Sequence, residues 1–168
     1  MKPLVSIIMG STSDLPIMEK AFDFLNNMQI PFEVNALSAH RTPDAVAEFA
    51  HNAEARGLKV IIAGAGMAAA LPGAIAACTP LPVIGVPIKG MLDGLDAMLS
   101  MIQMPPGIPV ANVGVNGALN AAILAVEILS LTDSDINARY KEYRKGLTKK
   151  IEDANAKIAE IKYDYKVN

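Results

Sequence analysis

The amino-acid sequence predicts an α/β fold: a three-layer, doubly wound parallel sheet of five strands with a long C-terminal helix. Short runs rich in valine and isoleucine alternate with amphipathic segments over the first 131 residues. The runs are nearly continuous, as in strands that are buried on both faces of a parallel sheet. Loops containing glycine follow most of the runs, at the points where the chain would leave the sheet.

Five segments are predicted to be strands because each carries a short apolar run bounded by turn-forming residues. They are residues 4–9, 32–37, 59–63, 82–86 and 109–113. Since successive strands are separated by helical segments, right-handed crossovers are expected, and 2-1-3-4-5 is the expected strand order.

The intervening segments have apolar residues at helical spacing. They are residues 15–27, 43–56, 68–78, 92–102 and 118–131. Asparagines at 26 and 27, Gly57 and Pro80 mark helix ends. Ser13 is expected to cap the first helix, and Pro16 suits its first turn.

Residues 134–165 are charged and rich in lysine, with a narrow apolar stripe at spacings of three and four. Asp133 is the expected N-cap of this long helix. We divide the chain into an α/β domain, residues 1–132, and a helical extension of the same domain, residues 133–168. The extension is longer than a small sheet can cover, so we expect it in an oligomer interface. A solvated helix with a frayed end is the alternative.

Composition narrows the class of protein. Of the 168 residues, 52% are hydrophobic and only 19% are charged, which favours a homo-oligomer that hides apolar surface. A net charge of −2 gives no reason to expect nucleic-acid binding. No apolar run is long enough to cross a membrane. Cys78 is the only cysteine, so we expect a cytoplasmic protein without a disulfide framework.

The first strand runs into Gly10, Ser11 and Ser13, followed by Asp14. Free N–H groups at a helix start favour an anion such as phosphate, whereas a carboxylate suits ribose hydroxyls better. An ordinary capped helix start is the alternative.

The second strand ends at the segment Leu-Ser-Ala-His-Arg-Thr, residues 37–42. His40 titrates near neutral pH, Arg41 can bind phosphate with two donors, and Ser38 adds a hydroxyl. Arg41 could instead pair with Asp44 or Glu48 on the next helix. The other histidine, His51, is expected to be a solvated helix residue.

The third strand leads into residues 63–73, which contain three glycines and five alanines. Such a loop lets a flat ligand approach the backbone closely. Tight packing of a helix on the sheet would explain the same composition. Glycine-containing loops also follow the fourth and fifth strands, at residues 85–90 and 114–117.

Five motifs occur in one order along most of the chain. They are Met-Gly-Ser-Thr-Ser-Asp (9–14), Ser-Ala-His-Arg-Thr-Pro (38–43), Ala-Gly-Ala-Gly with Leu-Pro-Gly (63–73), Leu-Pro-Val-Ile-Gly-Val-Pro (81–87) and Gln-Met-Pro-x-Gly-Ile-Pro-Val (103–110). Together they resemble the N5-carboxyaminoimidazole ribonucleotide (N5-CAIR) mutase family of bacterial purine biosynthesis.

The resemblance implies a flavodoxin-like fold, a homo-octamer and catalysis without cofactor or metal. The family converts N5-CAIR into 4-carboxy-5-aminoimidazole ribonucleotide (CAIR) on the route to IMP. It does so by decarboxylation and recarboxylation with enclosed CO2.

The resemblance also implies roles for individual residues. His40 matches the catalytic histidine. Ser11 and Asp14 match positions that bind substrate, and Arg41, helped by Ser13 and Ser38, would bind the 5′-phosphate. The loop containing Gly64, Ala65, Gly66 and Met67, with Leu71 beside it, would hold the carboxylate or the released CO2.

The chain departs from the family pattern at two places. Ala70 stands where the family commonly has a histidine before Leu-Pro-Gly, and the loop at residues 115–120 is shorter than usual. A related branch, which carboxylates aminoimidazole ribonucleotide (AIR) directly with CO2, also lacks that histidine and is the first alternative. A flavodoxin-like binding or signalling domain is a distant one.

Overall fold

The computed structural model describes residues 1–167 and confirms the predicted fold class. Five parallel strands form one sheet in the order β2-β1-β3-β4-β5. Their bounds are β1 Val5–Met9, β2 Phe32–Ala36, β3 Val60–Ala65, β4 Val83–Pro87 and β5 Ala111–Asn112. The chain alternates between strands and helices, so all five strands point the same way and their carboxyl ends lie at one edge.

Six α-helices accompany the sheet in the described chain. They are α1 Leu15–Asn27, α2 Pro43–Ala53, α3 Leu71–Ala76, α4 Leu95–Ile102, α5 Ala118–Ser130 and α6 Ser134–Ala159. A short 3₁₀ turn, Thr12–Asp14, precedes α1. No helix within residues 1–167 has the length and apolar character needed to cross a lipid bilayer.

The sheet is covered on both faces, because alternate residues of its central strands enter two different cores. Ile7 and Ile62 pack with α1, α5 and the start of α6. Ile8 and Ile61 pack with α2, α3 and α4 on the opposite face. All five residues of β1 are buried, as expected for a central strand of a parallel sheet.

Two helices begin later than the sequence pattern predicts. The third starts at Leu71 rather than at residue 68, and the fourth at Leu95 rather than at residue 92. Non-glycine residues with positive φ precede both helices: Met67 at 56° and Ala69 at 41°, then Leu92 at 48° and Asp93 at 54°. The left-handed region ends a right-handed helix, so these residues form turns instead.

Two strands also differ in length from the prediction. β3 continues to Ala65 because Gly64 and Ala65 pair with Val86 and Pro87 of β4. β5 has only two residues, which pair with Ile84 and Gly85 at the sheet edge.

The first half of α6 is held on the domain and the second half is not. The predicted cap is confirmed, since the Asp133 carboxylate accepts hydrogen bonds from Asp135 N and Ile136 N, both at 2.9 Å. The Tyr143 ring lies edge-on to Phe24 with centroids 4.9 Å apart. Beyond Leu147 the residues of α6 are exposed, and the helix ends at Ala159 rather than at the predicted residue 165.

Candidate functional site

A cleft of about 590 Å³ opens at the carboxyl ends of β1 to β4. Clefts of this size hold small organic ligands, and this edge is where open α/β sheets bind them. The lining residues are Gly10, Ser11, Ser13, Asp14, Ser38, Ala39, His40, Arg41, Ala65, Gly66, Met67, Ala68, Ala69, Ala70, Leu71, Ile88, Lys89 and Gly90. Of the predicted site residues, all but Gly64 line the cleft.

The turn after β1 is shaped by its own hydroxyl groups. The Ser11 side chain accepts a hydrogen bond from Ser13 N at 3.3 Å and thereby caps the 3₁₀ turn. The predicted cap at Ser13 is therefore wrong, because the extra turn moves the cap two residues towards the N-terminus. The Ser13 hydroxyl instead donates to Asp14 Oδ1 at 3.4 Å.

Asp14 is half-buried and lines the cleft. Burial raises the pKa of its carboxyl group above the ordinary value, although hydrogen bonds from Ser13 and Ser11 oppose the shift. A carboxylate that is partly removed from water gains when ligand hydroxyls donate to it. The position is therefore suited to a polyol group such as a ribose.

The loop after β2 is closed by reciprocal hydrogen bonds. The Thr42 hydroxyl donates to Ser38 O at 3.1 Å and accepts from Ser38 N at 3.0 Å. Leu37 N donates to Met9 O, which continues the β1–β2 pairing into the loop. His40 and Arg41 thus sit on a tight turn tied to the end of β1.

Arg41 is oriented towards β1 and not towards α2. Its Nη2 donates to Gly10 O at 2.6 Å and its Nε to Ser38 Oγ at 3.3 Å. Within residues 1–167 it makes no ion pair, so the alternative pairing with Asp44 or Glu48 is wrong. The contacts hold the guanidinium plane beside the Ser11–Ser13 turn while donors remain for an anion.

His40 is exposed at the mouth of the cleft. Within the described residues its imidazole has no hydrogen-bond partner, so its ring is free to turn towards a ligand. The other histidine, His51, is exposed on α2 and does not line the cleft.

The opposite wall of the cleft consists of backbone and small side chains. Ala65 to Ala70 offer one long side chain, that of Met67, which is 64% exposed. The wall packs closely on the end of β4, since a Cβ added at Gly66 would lie 3.3 Å from Ile88 O. Gly64 does not line the cleft, because it is buried in β3, where an added Cβ would meet Met18 Sδ at 2.7 Å.

One charged residue in the lining was not singled out from the sequence. Lys89 follows β4, and its Nζ lies 3.0 Å from Asp93 Oδ1. The sequence did mark the glycine-containing loop at residues 85–90, and a lysine within such a loop at a strand end was the available signal. The predicted loop at 114–117 contributes indirectly, because Asn116 Oδ1 accepts a hydrogen bond from Lys89 N at 2.9 Å.

The described residues contain no group of three or more histidine, cysteine or acidic side chains that could hold a metal ion. The cleft combines a guanidinium after β2, a carboxylate after β1, an exposed imidazole and a wall almost without long side chains. Such a set can bind a phosphorylated sugar carrying a flat ring and can move a proton on that ring.

Known proteins resemble the chain over most of its length. A family model described as AIR carboxylase matches residues 4–150. The N5-carboxyaminoimidazole ribonucleotide mutase of Pyrococcus abyssi is 56% identical over 146 residues, which are 86% of this chain and 84% of that protein.

Two further proteins are similar to the chain. The phosphoribosylaminoimidazole carboxylase of Candida glabrata is 49% identical over 164 residues, 97% of this chain but only 29% of that protein. A crystal structure of Treponema denticola PurE2-S38D superposes with a TM-score of 0.85 at 33% identity, covering 94% of this chain and 98% of that one.

The burial of Asp14 predicts that it lowers stability at neutral pH. Because its folded-state pKa is raised, the ionised form carries a penalty that is complete above that pKa and absent below the ordinary value of 3.8. We therefore expect Asp14→Asn to raise the free energy of unfolding at pH 7, with the gain shrinking as the pH falls towards 3.8. Urea unfolding at several pH values measures the difference.

Asp23→Asn is the matched control, because Asp23 is exposed on α1. It should leave the free energy of unfolding within about 0.5 kcal/mol of the parent value at each pH. A gain for Asp14→Asn that grows as the pH is lowered would contradict the assignment.

Proposed function

The chain belongs to the AIR carboxylase family, and we propose that it catalyses the N5-CAIR mutase reaction. In this isomerisation a carboxylate moves from the exocyclic nitrogen of an aminoimidazole ribonucleotide to ring carbon C4. Relatives of similar length that carry this activity are about half identical to the chain, which supports the assignment. The pathway served is the biosynthesis of purines.

The observation that carries the proposal is the composition of the cleft. Its lining brings together one imidazole and one guanidinium, with a wall of glycine and alanine opposite. A reaction that releases and recaptures CO2 needs few polar groups but needs close walls, because CO2 has to stay beside the carbon that attacks it.

The ribonucleotide is bound through its polar end. Arg41 takes the 5′-phosphate with the donors that Gly10 and Ser38 leave free, and the hydroxyls of Ser13 and Ser38 assist it. Asp14 accepts hydrogen bonds from the ribose, and Ser11 lies beside it on the same turn. These contacts place the imidazole ring between His40 and the wall.

The chemistry then needs one proton carrier. Protonated His40 gives its proton to the exocyclic nitrogen. The C–N bond of the carbamate then breaks, which yields the free amine and CO2. The electron-rich C4 attacks CO2 to form the new C–C bond. His40 removes the proton that C4 carried, which restores aromaticity and returns the imidazole to its starting charge.

The wall retains CO2 between the two steps. Gly66 and Met67 supply backbone N–H groups, Ala65 and Met67 supply apolar surface, and Leu71 closes the far side. A wall that offers little water to the carbamate also limits its loss by hydrolysis. Gly64 serves this wall indirectly, by letting Met18 pack beneath β3.

Direct carboxylation of AIR with CO2 is the second candidate. It is favoured by Ala70, which leaves the wall without a second imidazole, and by the carboxylase name of the relative from Candida glabrata. That relative is a much longer protein, of which the chain matches 29%, whereas the mutase from Pyrococcus abyssi is matched over 84%. The mutase reaction is therefore preferred.

We further propose that the enzyme is a cytoplasmic homo-octamer. Large apolar side chains are exposed on and before α4 and along α6: Met91, Leu92, Leu95, Leu99, Ile102, Ile151 and Ile158. An exposed set of this size favours association. The lone Cys78 fits a reducing compartment.

Sedimentation equilibrium should give about 142 kDa, eight chains of 17.7 kDa each; a mass of 17.7 kDa would contradict the proposal.

Substrate choice separates the two candidate reactions. The purified protein should convert N5-CAIR to CAIR in buffer free of bicarbonate. Its kcat/KM for N5-CAIR should be at least about 100-fold above its kcat/KM for AIR in the presence of CO2, because the carbamate delivers CO2 inside the cleft. Absorbance at the wavelength of CAIR measures both reactions. A reversed preference would establish the carboxylase.

Replacement of His40 tests the proton carrier. His40→Asn should lower kcat about 100- to 10,000-fold while KM stays within about threefold, because the amide retains size and polarity but cannot carry the proton. Steady-state kinetics with N5-CAIR measure both constants. His51→Asn, on the exposed face of α2, is the matched control and should keep the parent values; near-parent turnover by His40→Asn would rule out its role.

A further inference from the structure

We infer that Lys89 is a substrate-binding residue that recognises the carboxylate moved in the reaction. The inference rests on the proposed function and extends it to Lys89, a residue to which that function has given no role. Three observations carry it: the place of Lys89 in the cleft, the way its backbone is fixed, and the weakness of its present ion pair.

Lys89 lies beside the wall that would hold the carboxylate. It lines the cleft directly after Ile88, whose N donates to Ala65 O at 2.9 Å. The Gly66 Cα is so close to Ile88 that a Cβ would stand 3.3 Å from Ile88 O. A cation at this point is adjacent to the carboxylate pocket, and Arg41 is on the loop after β2, on the other side of β1 and β3.

The two cations therefore suit the two anionic groups of one ligand. The proposed substrate carries its phosphate and its carboxylate at opposite ends. Arg41, with its planar fork, suits phosphate, whereas an ammonium group suits a single carboxylate as a point charge. Without Lys89, no cationic side chain would line the carboxylate end of the cleft within the described residues.

The backbone of Lys89 is held by neighbouring residues, although its side chain is exposed. Asn116 Oδ1 accepts from Lys89 N at 2.9 Å, and Asn116 N donates to Pro87 O at 2.8 Å. Gly94, with φ of 87°, approaches so closely that an added Cβ would lie 3.3 Å from Lys89 Cα. The hydrogen bonds of Asn116 and the close approach of Gly94 hold the Lys89 backbone at the edge of the cleft.

The partner of Lys89 is easily exchanged. Asp93 Oδ1 lies 3.0 Å from Lys89 Nζ, but the side chains are 88% and 58% exposed. Exposed pairs of this kind contribute little to stability. A ligand carboxylate in the cleft, partly shielded from water, is the stronger partner for the ammonium group, so Lys89 leaves Asp93 when substrate binds.

This exchange concerns the carboxylated species alone. CO2 is neutral and AIR carries no carboxylate, so a cation at this position favours substrate and product over the decarboxylated intermediate. The affinity for CAIR should depend on Lys89, and the affinity for AIR, which keeps the phosphate and ribose, should not.

Binding titrations with the full-length protein test the assignment. Lys89→Met should raise the Kd for CAIR about tenfold and leave the Kd for AIR within twofold, because one charge-assisted contact is lost. Lys89→Arg should return the Kd for CAIR to within about threefold of the parent. Lys20→Met, on the exposed face of α1, is the matched control and should change neither constant.

Asp93→Asn distinguishes substrate binding from a structural latch. It releases Lys89 from competition and should lower the Kd for CAIR, by up to about threefold. If the ion pair merely held the loop, Asp93→Asn would weaken binding as Lys89→Met does. Equal losses for CAIR and AIR in Lys89→Met would also overturn the assignment, since they would point to the phosphate or to misfolding.

These titrations do not depend on turnover. A parent protein that fails to convert N5-CAIR would refute the proposed function. A parent protein that converts it, with an unaltered Kd for CAIR in Lys89→Met, would refute only the role of Lys89. A circular-dichroism melt of each variant confirms that the compared proteins are folded.

Discussion

The parallel pairing of β1 with both β2 and β3 is the constraint on which the rest of the structure depends. Met9 lies opposite Ala36 on one side and opposite Gly64 on the other, so β1 and β2 end level with one another and β3 ends one residue later. The three loops that follow must then meet at one edge. β1 is paired with both neighbours along its whole length, and its buried backbone N–H and C=O groups depend on them for hydrogen bonds.

The same arrangement determines how charge is distributed over the cleft. Cations stand on the loops after β2 and β4, and the carboxylate of Asp14 lies between them on the loop after β1. In the proposed complex, these charges would orient a ligand that is anionic at both ends and hydroxylated in the middle. Specificity here comes from the order of the strands as much as from the side chains, because that order fixes which charge lies next to which.

The fold could be predicted from the sequence to a greater extent than the site. Apolar runs and helical spacing suffice for strand order, since burial on both faces leaves a strong signature. The starts of α3 and α4 were placed three residues too early, because the positive φ values of Ala69 and Leu92 leave no mark in the spacing of apolar residues. Lys89 was not singled out because its place in the cleft depends on a contact with Asn116 from a neighbouring loop, which no local pattern describes. Gly64 was drawn into the loop because its composition gave no sign that β3 continues to Ala65.

The wall of small residues has a consequence for how the gene can vary. A single base change in an alanine codon yields glycine, serine, threonine, valine, proline, aspartate or glutamate. All but glycine add atoms at Ala65, Ala68, Ala69 or Ala70, which line the cleft on the wall that we propose holds CO2. Valine and threonine are also poorly suited to the left-handed backbone at Ala69. A mutation removes a given polar side chain of the cleft only at that one position, whereas substitutions at most positions of this loop would reduce the volume of the cleft.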